Sequence, residues 1–461
     1  MKNKGSIAIA ILSISFLMMG CQGSSNKTQE TATSGEITTN SIVGYVYTTT
    51  NGEGENQIIQ LARFADGTLG NEKVYATGGK GGANSKDPVY GDYDAQGGLQ
   101  IVDNYMLSVN TGDNTVSIFE LDKKTGNLKR GEVVSSHGDK PVSIGYTKSN
   151  TEPDIYWVAV ANQWGIPTAL YDGDKYVEYP NKEFFKQDLK KADPSDNNRN
   201  VALYKFNTKT GKLTFDKLLD TYTRYWGGPV QVTFSHSGKQ VALTTWGIPH
   251  FLTPNPDPKF VKASQVIVYD FNEGITTNKR VFEEEGLIGA VGFNWGKLDN
   301  RLYVTFFNPI KEKDNQGLVE LEVTAKKLNK IKGYETGAPL DLDEACWSAI
   351  SPDYKRFYAV SFGTNVITPF ELDEKGNITK TLPYEGVANK DKEADLKDMY
   401  LSPDNKYAYC LGAFHTFAIK YFTINEQGLK YTGEYRIEAT KADEGKTGKH
   451  NFQGFIGFDI K

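Results

Sequence analysis

Eight residues able to do chemistry, Gln100, Trp226, Gln231, Glu344, Trp347, Lys397, Asp398 and Gln453, lie near the start of short apolar segments spread along the chain. Glu344 offers a carboxylate for general acid–base work, and Lys397 an ammonium that can hold an anion or a developing oxyanion. Gln231 can hydrogen-bond a carbonyl but cannot shuttle a proton. Gln100, Trp226, Trp347, Asp398 and Gln453 are the types that line a ligand site assembled from distant parts of a chain. Taken singly, each also fits a solvated turn or a structural hydrogen bond.

The five histidines are His137, His236, His250, His415 and His450. No pair has metal-ligand spacing, and His236 sits in a Ser-His-Ser-Gly turn expected to be exposed. His137, His250 and His415 fall in connecting loops, where an imidazole can carry a proton near neutral pH. Asp87, Asp92 and Asp94 form an acidic stretch without EF-hand spacing. Gly445-Lys446-Thr447 lacks the upstream glycine of a phosphate loop, since Thr440 stands in its place. Gly78-Gly79-Lys80-Gly81-Gly82 is a glycine-rich turn with no helix after it, and no Gly-x-Ser-x-Gly elbow occurs. No metal or cofactor is therefore expected.

These residues have to be positioned by a unit that the chain repeats. Its cleanest copy is residues 97–130. Strands are expected from Leu99 to Val102 and from Tyr105 to Val109, followed by a Gly112-Asp113-Asn114 turn. A third strand alternates Val116, Ile118 and Leu121 with Ser117, Glu120 and Asp122, and Thr125-Gly126-Asn127 turns into a fourth. Four short antiparallel strands per copy, repeated every several tens of residues, predict a β-propeller. Seven copies can be followed from Ser41 onward. The first lacks an opening strand, and Asn451–Ile460 reads as an opening strand with nothing after it. The fold class predicted is all-β: a seven-bladed β-propeller of four-stranded antiparallel blades, closed by the C-terminal strand.

Three connections are long: Gln163–Asn200, Trp246–Ser264 and Asn308–Gln316. Two begin alike, Trp164-Gly165-Ile166-Pro167 and Trp246-Gly247-Ile248-Pro249. Long, aromatic-rich loops on one face predict a ligand site there, with Trp164 among its contacts. Mutual packing of the two copies as a lid is the competing reading.

The phrases Ile350-Ser351-Pro352-Asp353-Tyr354-Lys355-Arg356-Phe357-Tyr358-Ala359-Val360, Leu401-Ser402-Pro403-Asp404-Asn405-Lys406-Tyr407-Ala408-Tyr409 and Thr115-Val116-Ser117-Ile118-Phe119-Glu120-Leu121-Asp122 resemble the lactonase-type seven-bladed propeller family, which includes 6-phosphogluconolactonase-like and carboxymuconate-cyclase-like proteins. The resemblance covers nearly all of Ser41–Lys461 and implies hydrolysis or isomerisation of a lactone or sugar-acid ring. It also implies a His, and often an Arg, beside the Gly-Pro that opens a blade. Here that stretch is Gly228-Pro229-Val230-Gln231, without the basic residues. The rival expectation is a non-catalytic envelope protein whose loop face holds a carbohydrate or a protein partner.

Met1–Lys4 is basic and precedes an apolar run from Ile7 to Met19, the shape of a secretory signal. Its end, Met19-Gly20-Cys21, resembles a bacterial lipoprotein signal in which Cys21 becomes the lipid attachment point. The expected organisation is a signal over 1–20, a flexible tether over 21–40 and the propeller over 41–461, held at a membrane of the cell envelope by the lipid. Losing Lys2 and Lys4 takes the net charge from −5 to −7, and an acidic surface argues against nucleic acid as a partner. Cys346 and Cys410 are expected as separate buried thiols.

Overall fold

A computed structural model describes residues 41–83, 95–163, 170–172, 175–177, 198–223, 226–247, 262–307, 311–337, 343–387, 394–446 and 449–460. Residues 39–461 form one compact unit. No helix among the described residues is long and apolar enough to cross a membrane.

The strands pair into seven antiparallel blades. In blades 2 to 7 the chain enters on the innermost strand and moves outward. The inner strands are Leu99–Val102, Pro141–Lys148, Pro229–Phe234, Ala290–Trp295, Ala345–Ile350 and Leu396–Leu401. Blade 1 is built from both ends of the propeller. Ile42–Thr49, Glu55–Phe64 and Leu69–Lys80 form its outer three strands, and Gln453–Asp459 pairs with Ile42–Thr49 as the inner one. Closure by the C-terminal strand is thus present, and buried Arg63 reinforces it with an ion pair to Asp459. In blade 6 the outer strand is broken into Ile378–Thr381 and Glu385–Gly386 around Pro383, which cannot donate to the ladder.

Burial follows position in the blade. A middle strand such as Ile155–Asn162 is covered on both faces by neighbouring blades, which is why Val158-Ala159-Val160-Ala161 shows no polar alternation. An outer strand such as Leu128–Ser135 is exposed over most of its length. The repeated Ser-Pro-Asp turns close identically. Ser351 Oγ and Ser402 Oγ each donate to the aspartate two residues on at 2.6 Å, and each accepts the N–H five residues on at 2.9 Å. At the other turn type, Gly126 has φ 69° and packs under Tyr45, and a Cβ there would come within 2.6 Å of that ring. The Tyr47 hydroxyl donates to the Gly126 carbonyl at 2.7 Å, locking blade 2 to blade 1. Cys346 and Cys410 are both buried, and neither is in a disulfide.

One irregularity recurs and matters for the site. Six of the seven inner strands skip register near the end that faces the long loops, at Pro141/Ser143, Pro229/Val232, Ala290/Phe293, Ala345/Trp347, Leu396/Met399 and around Gly454. Each skip is a bulge that releases one or two residues from the ladder, among them Gln231, Lys397 and Asp398.

Candidate functional site

The central channel is crossed by a short segment, Ala95–Gly97. Gln96 reaches from blade 2 to blade 6. Its Nε2 donates to the Ser348 carbonyl and its Oε1 accepts from the Ser348 N–H, both at 2.9 Å. The Trp347 indole donates to the Ala95 carbonyl at 2.9 Å. Ser143 Oγ and the Ile144 N–H of blade 3 bind the carbonyls of Gln96 and Gly97. A Cβ at Gly292 of blade 5 would lie 2.5 Å from Gln96 Oε1, so glycine is what lets the amide pass.

Several of the residues singled out in the sequence meet on the loop side of blades 6, 7 and 1. Lys397 and Asp398 occupy the bulge of their inner strand and are almost completely buried. The Lys397 ammonium lies 5.1 Å from the Trp347 ring centre, 5.3 Å from Phe414 and 5.9 Å from Phe362, and it donates to Asn451 Oδ1 at 3.0 Å. Ring faces and an amide oxygen replace part of the water that the cation has lost. Phe414 is held there by Asp395, whose Oδ1 accepts the N–H groups of Phe414, His415 and Thr416. Asp398 accepts the Gly454 N–H at 2.9 Å. Burial pushes its carboxyl up to about 7, against the smaller opposing pull of that N–H and of Lys397.

Other positions are engaged in holding the fold. Gln231 is paired at both ends of its amide with the Phe293 backbone, donating at 3.1 Å and accepting at 2.6 Å. This pairing ties blade 4 to blade 5, and Gln231 also lines the central cavity. Gln453 accepts from the Thr111 hydroxyl at 2.9 Å and donates to the Val142 carbonyl at 3.0 Å. Glu344 has a left-handed backbone, φ 54°, and its carbonyl accepts the Phe362 N–H. The neighbouring Asp343 carboxylate takes hydroxyls of Thr336, Ser361 and Thr364, and burial raises its pKa. His137 stacks on outer-strand Phe215 at 3.8 Å, away from the axis. Trp226 lies under Lys262 Nζ at 4.2 Å. The His415 N–H is bound by Asp395 and its carbonyl by Gly445. Trp164, His250 and Asp87, Asp92 and Asp94 lie outside the described residues, as does Cys21.

Below the crossing segment the channel widens into a cavity of about 570 Å3 lined by residues of all seven inner strands. Gln96, Gln100 and Asp398 lie toward the crossing segment, and Lys148, His236 and Ile350 sit at the far ends of the strands. The cavity therefore extends from the crossing segment toward the turns at the far ends of the inner strands. Asn294 and Tyr146 add polar groups to the wall. Trp295, almost completely buried in the same wall, has an indole N–H with no acceptor among the described residues. At those turns, Asp299 clamps the N–H groups of His236 and Ser237 at 2.9 Å, presenting the His236 ring edge-on to Tyr354 at 5.2 Å. His236 was legible only as an exposed turn; its place beside the axis depends on strand length. Among the described residues no group of His, Cys, Asp and Glu is arranged to hold a metal.

No family model and no curated protein matches the sequence. Solved structures do match. A Bacteroides fragilis protein described as a candidate 6-phosphogluconolactonase aligns with a TM-score of 0.55 at 13% identity, over 92% of this chain and 99% of its own. The periplasmic gluconolactonase of Pseudomonas aeruginosa aligns at 0.56 and 12% identity, over 88% and 99%. The fold is that of the lactonase-type seven-bladed propellers. A hypothetical selenium-binding protein of Sulfolobus tokodaii also aligns, at 0.58 and 8% identity over 91% and 95%, so this propeller architecture is not confined to one chemistry.

Proposed function

We propose that the propeller acts on a lactone or sugar-acid ring held in the central cavity, with Asp398 as the group that moves the proton. The observation that carries this is a buried carboxyl poised near neutrality in the lining of a polar cavity to which every blade contributes. Ionised Asp398 can take a proton from an attacking water or from a carbon beside a carbonyl. Lys397, its neighbour in the bulge, favours the ionised form. Gln100 is the wall amide suited to ring hydroxyls and the carbonyl oxygen, with the oxygen of Asn294 beside it, whose amide nitrogen already donates to the Ser348 hydroxyl at 2.9 Å. The reading includes a lipid on Cys21 and a tether over 21–40 that keep the domain at an envelope membrane, as the leader sequence suggests.

Turnover of a panel of sugar lactones and sugar acids by the full chain tests it. Asp398→Asn is expected to lower kcat/KM by at least about 100-fold, and the wild-type rate is expected to rise with pH through about 7. Turnover that is indifferent to Asp398→Asn would sink the assignment.

A second reading rests on Gln231. Its amide is spent on Phe293 at the position where lactonase-like relatives place basic residues, and this favours a propeller that binds a sugar acid or an envelope partner without turning it over. Saturable binding of a sugar acid with no product formed, under the same assay, would establish it.

A further inference from the structure

A groove at the seam of the ring is separate from the central cavity. It lies where the end of the inner strand of blade 1 meets turns of blades 2 and 7, and has a volume of about 680 Å3. That is within the about 300–1,000 Å3 usual for small-molecule sites. Phe458, Tyr400, Pro403 and Gly457 give it an apolar wall. Gly457 keeps it open against Tyr400, because a Cβ there would come within 2.8 Å of that ring. The Tyr400 hydroxyl is buried and has no hydrogen-bond partner among the described residues, a donor that a ligand oxygen can complete. Asp459 also lines the groove, but its carboxylate is ion-paired with buried Arg63.

The rim has the opposite character. Lys123 and Lys124 stand exposed in the turn after the third strand of blade 2, with Asn104 beside them. The adjacent Asp122 is turned back on its own loop, accepting the Lys124 N–H at 2.9 Å and the Thr125 hydroxyl at 2.7 Å. Two ammonium groups over an apolar wall fit a ligand with an anionic head and an apolar body.

We propose that this groove binds an amphipathic carboxylate, an acyl or aryl acid, with its body against Phe458 and Tyr400 and its carboxylate at Lys123 and Lys124. The site spans the strand that closes the ring and the blade beside it, so its ligand clamps the seam.

Isothermal titration of the full chain with octanoate, and with octanol as the uncharged control, tests this. Octanoate is expected to bind at least about tenfold more tightly than octanol and to raise the melting temperature. The surface variant Lys123→Gln/Lys124→Gln is expected to fold normally and to bring octanoate down to the affinity of octanol. Asp398→Asn, which alters the central cavity, is expected to leave octanoate binding unchanged. The proposal is overturned if octanoate does not bind, if it binds no better than octanol, if the double lysine variant binds it like wild type, or if Asp398→Asn abolishes the binding.

Discussion

The two ends of the central channel use the same strands for opposite purposes. Toward the loop end, the amides of Gln453 and of Gln96 and Gln231, which also line the cavity, are matched at both their donor and acceptor ends, and the cation of Lys397 is boxed by three rings and Asn451. At the turn end, the strands surround a cavity whose wall carries Gln100, Tyr146 and Asn294, the last with its amide nitrogen donating to the Ser348 hydroxyl and its oxygen left over. Polar residues near the axis are therefore no guide to the site by themselves. Saturation separates those that hold blades together from those left for a ligand, because a buried amide already paired twice gains nothing from a substrate. Asp398 belongs to both regions: it accepts the Gly454 N–H and is among the residues that line the cavity.

The harshest way to break the comparison is to remove the strand that both ends share. A chain ending before Phe452 loses the inner strand of blade 1 and the Arg63–Asp459 pair. Its melting midpoint is expected to fall by at least about 10 °C, and an unchanged midpoint in a thermal melt would show that the ring does not need this closure. Gln96→Leu is the next test, since it strips both partners from the Ser348 backbone across the channel. A loss of about 2–4 kcal/mol is expected from chemical unfolding, with a similar loss for Gln231→Leu, whereas Gln100→Leu at the cavity wall is expected to cost under about 1 kcal/mol. Equal losses in all three would erase the distinction between matched and open amides.

The mildest test concerns pH. Asp398 titrates near 7 in the folded chain against an ordinary value of 3.8, so the folded state holds a proton that the unfolded state releases. Its contribution to stability is complete below about 4 and lost as pH rises through about 7. The wild-type melting temperature is expected to fall by a few degrees between pH 5 and 8 for this reason. Asp398→Asn removes that part of the slope, and an identical slope in both proteins would mean that the carboxyl is ionised throughout.

The architecture was legible because its signals are local. Alternation in Val116–Leu121 and the Ser-Pro-Asp turns report on neighbours a few residues away, and the strands formed where those signals place them; the final strand was legible as the opening strand that the first copy lacked. The site was legible only in part. Trp347, Lys397, Asp398 and Gln453 do converge near the axis, since the start of an inner strand must lie there. What sequence could not reveal is which polar groups are already spent. Gln96 and Ser348 are 252 residues apart, and nothing in either neighbourhood marks their pairing. The same holds for Gln231 and Phe293. The crossing segment Ala95–Gly97 was not legible for a related reason: three residues carry no pattern, and their partners lie in blades 3 and 6.

The inner strand of blade 1 also sets an order of events in folding. Thr48 is bonded to Gly454 across 406 residues, so Ile42–Thr49 has no inner neighbour until six further blades have been made. The loop-closure entropy of that contact is repaid only at the end, and contacts of this length fold slowly. A chain emerging with residue 42 ahead of residue 453 therefore carries an uncapped strand edge through most of its synthesis. Protection of that edge, by a chaperone or by delayed folding, is part of what this topology demands of the cell that makes it.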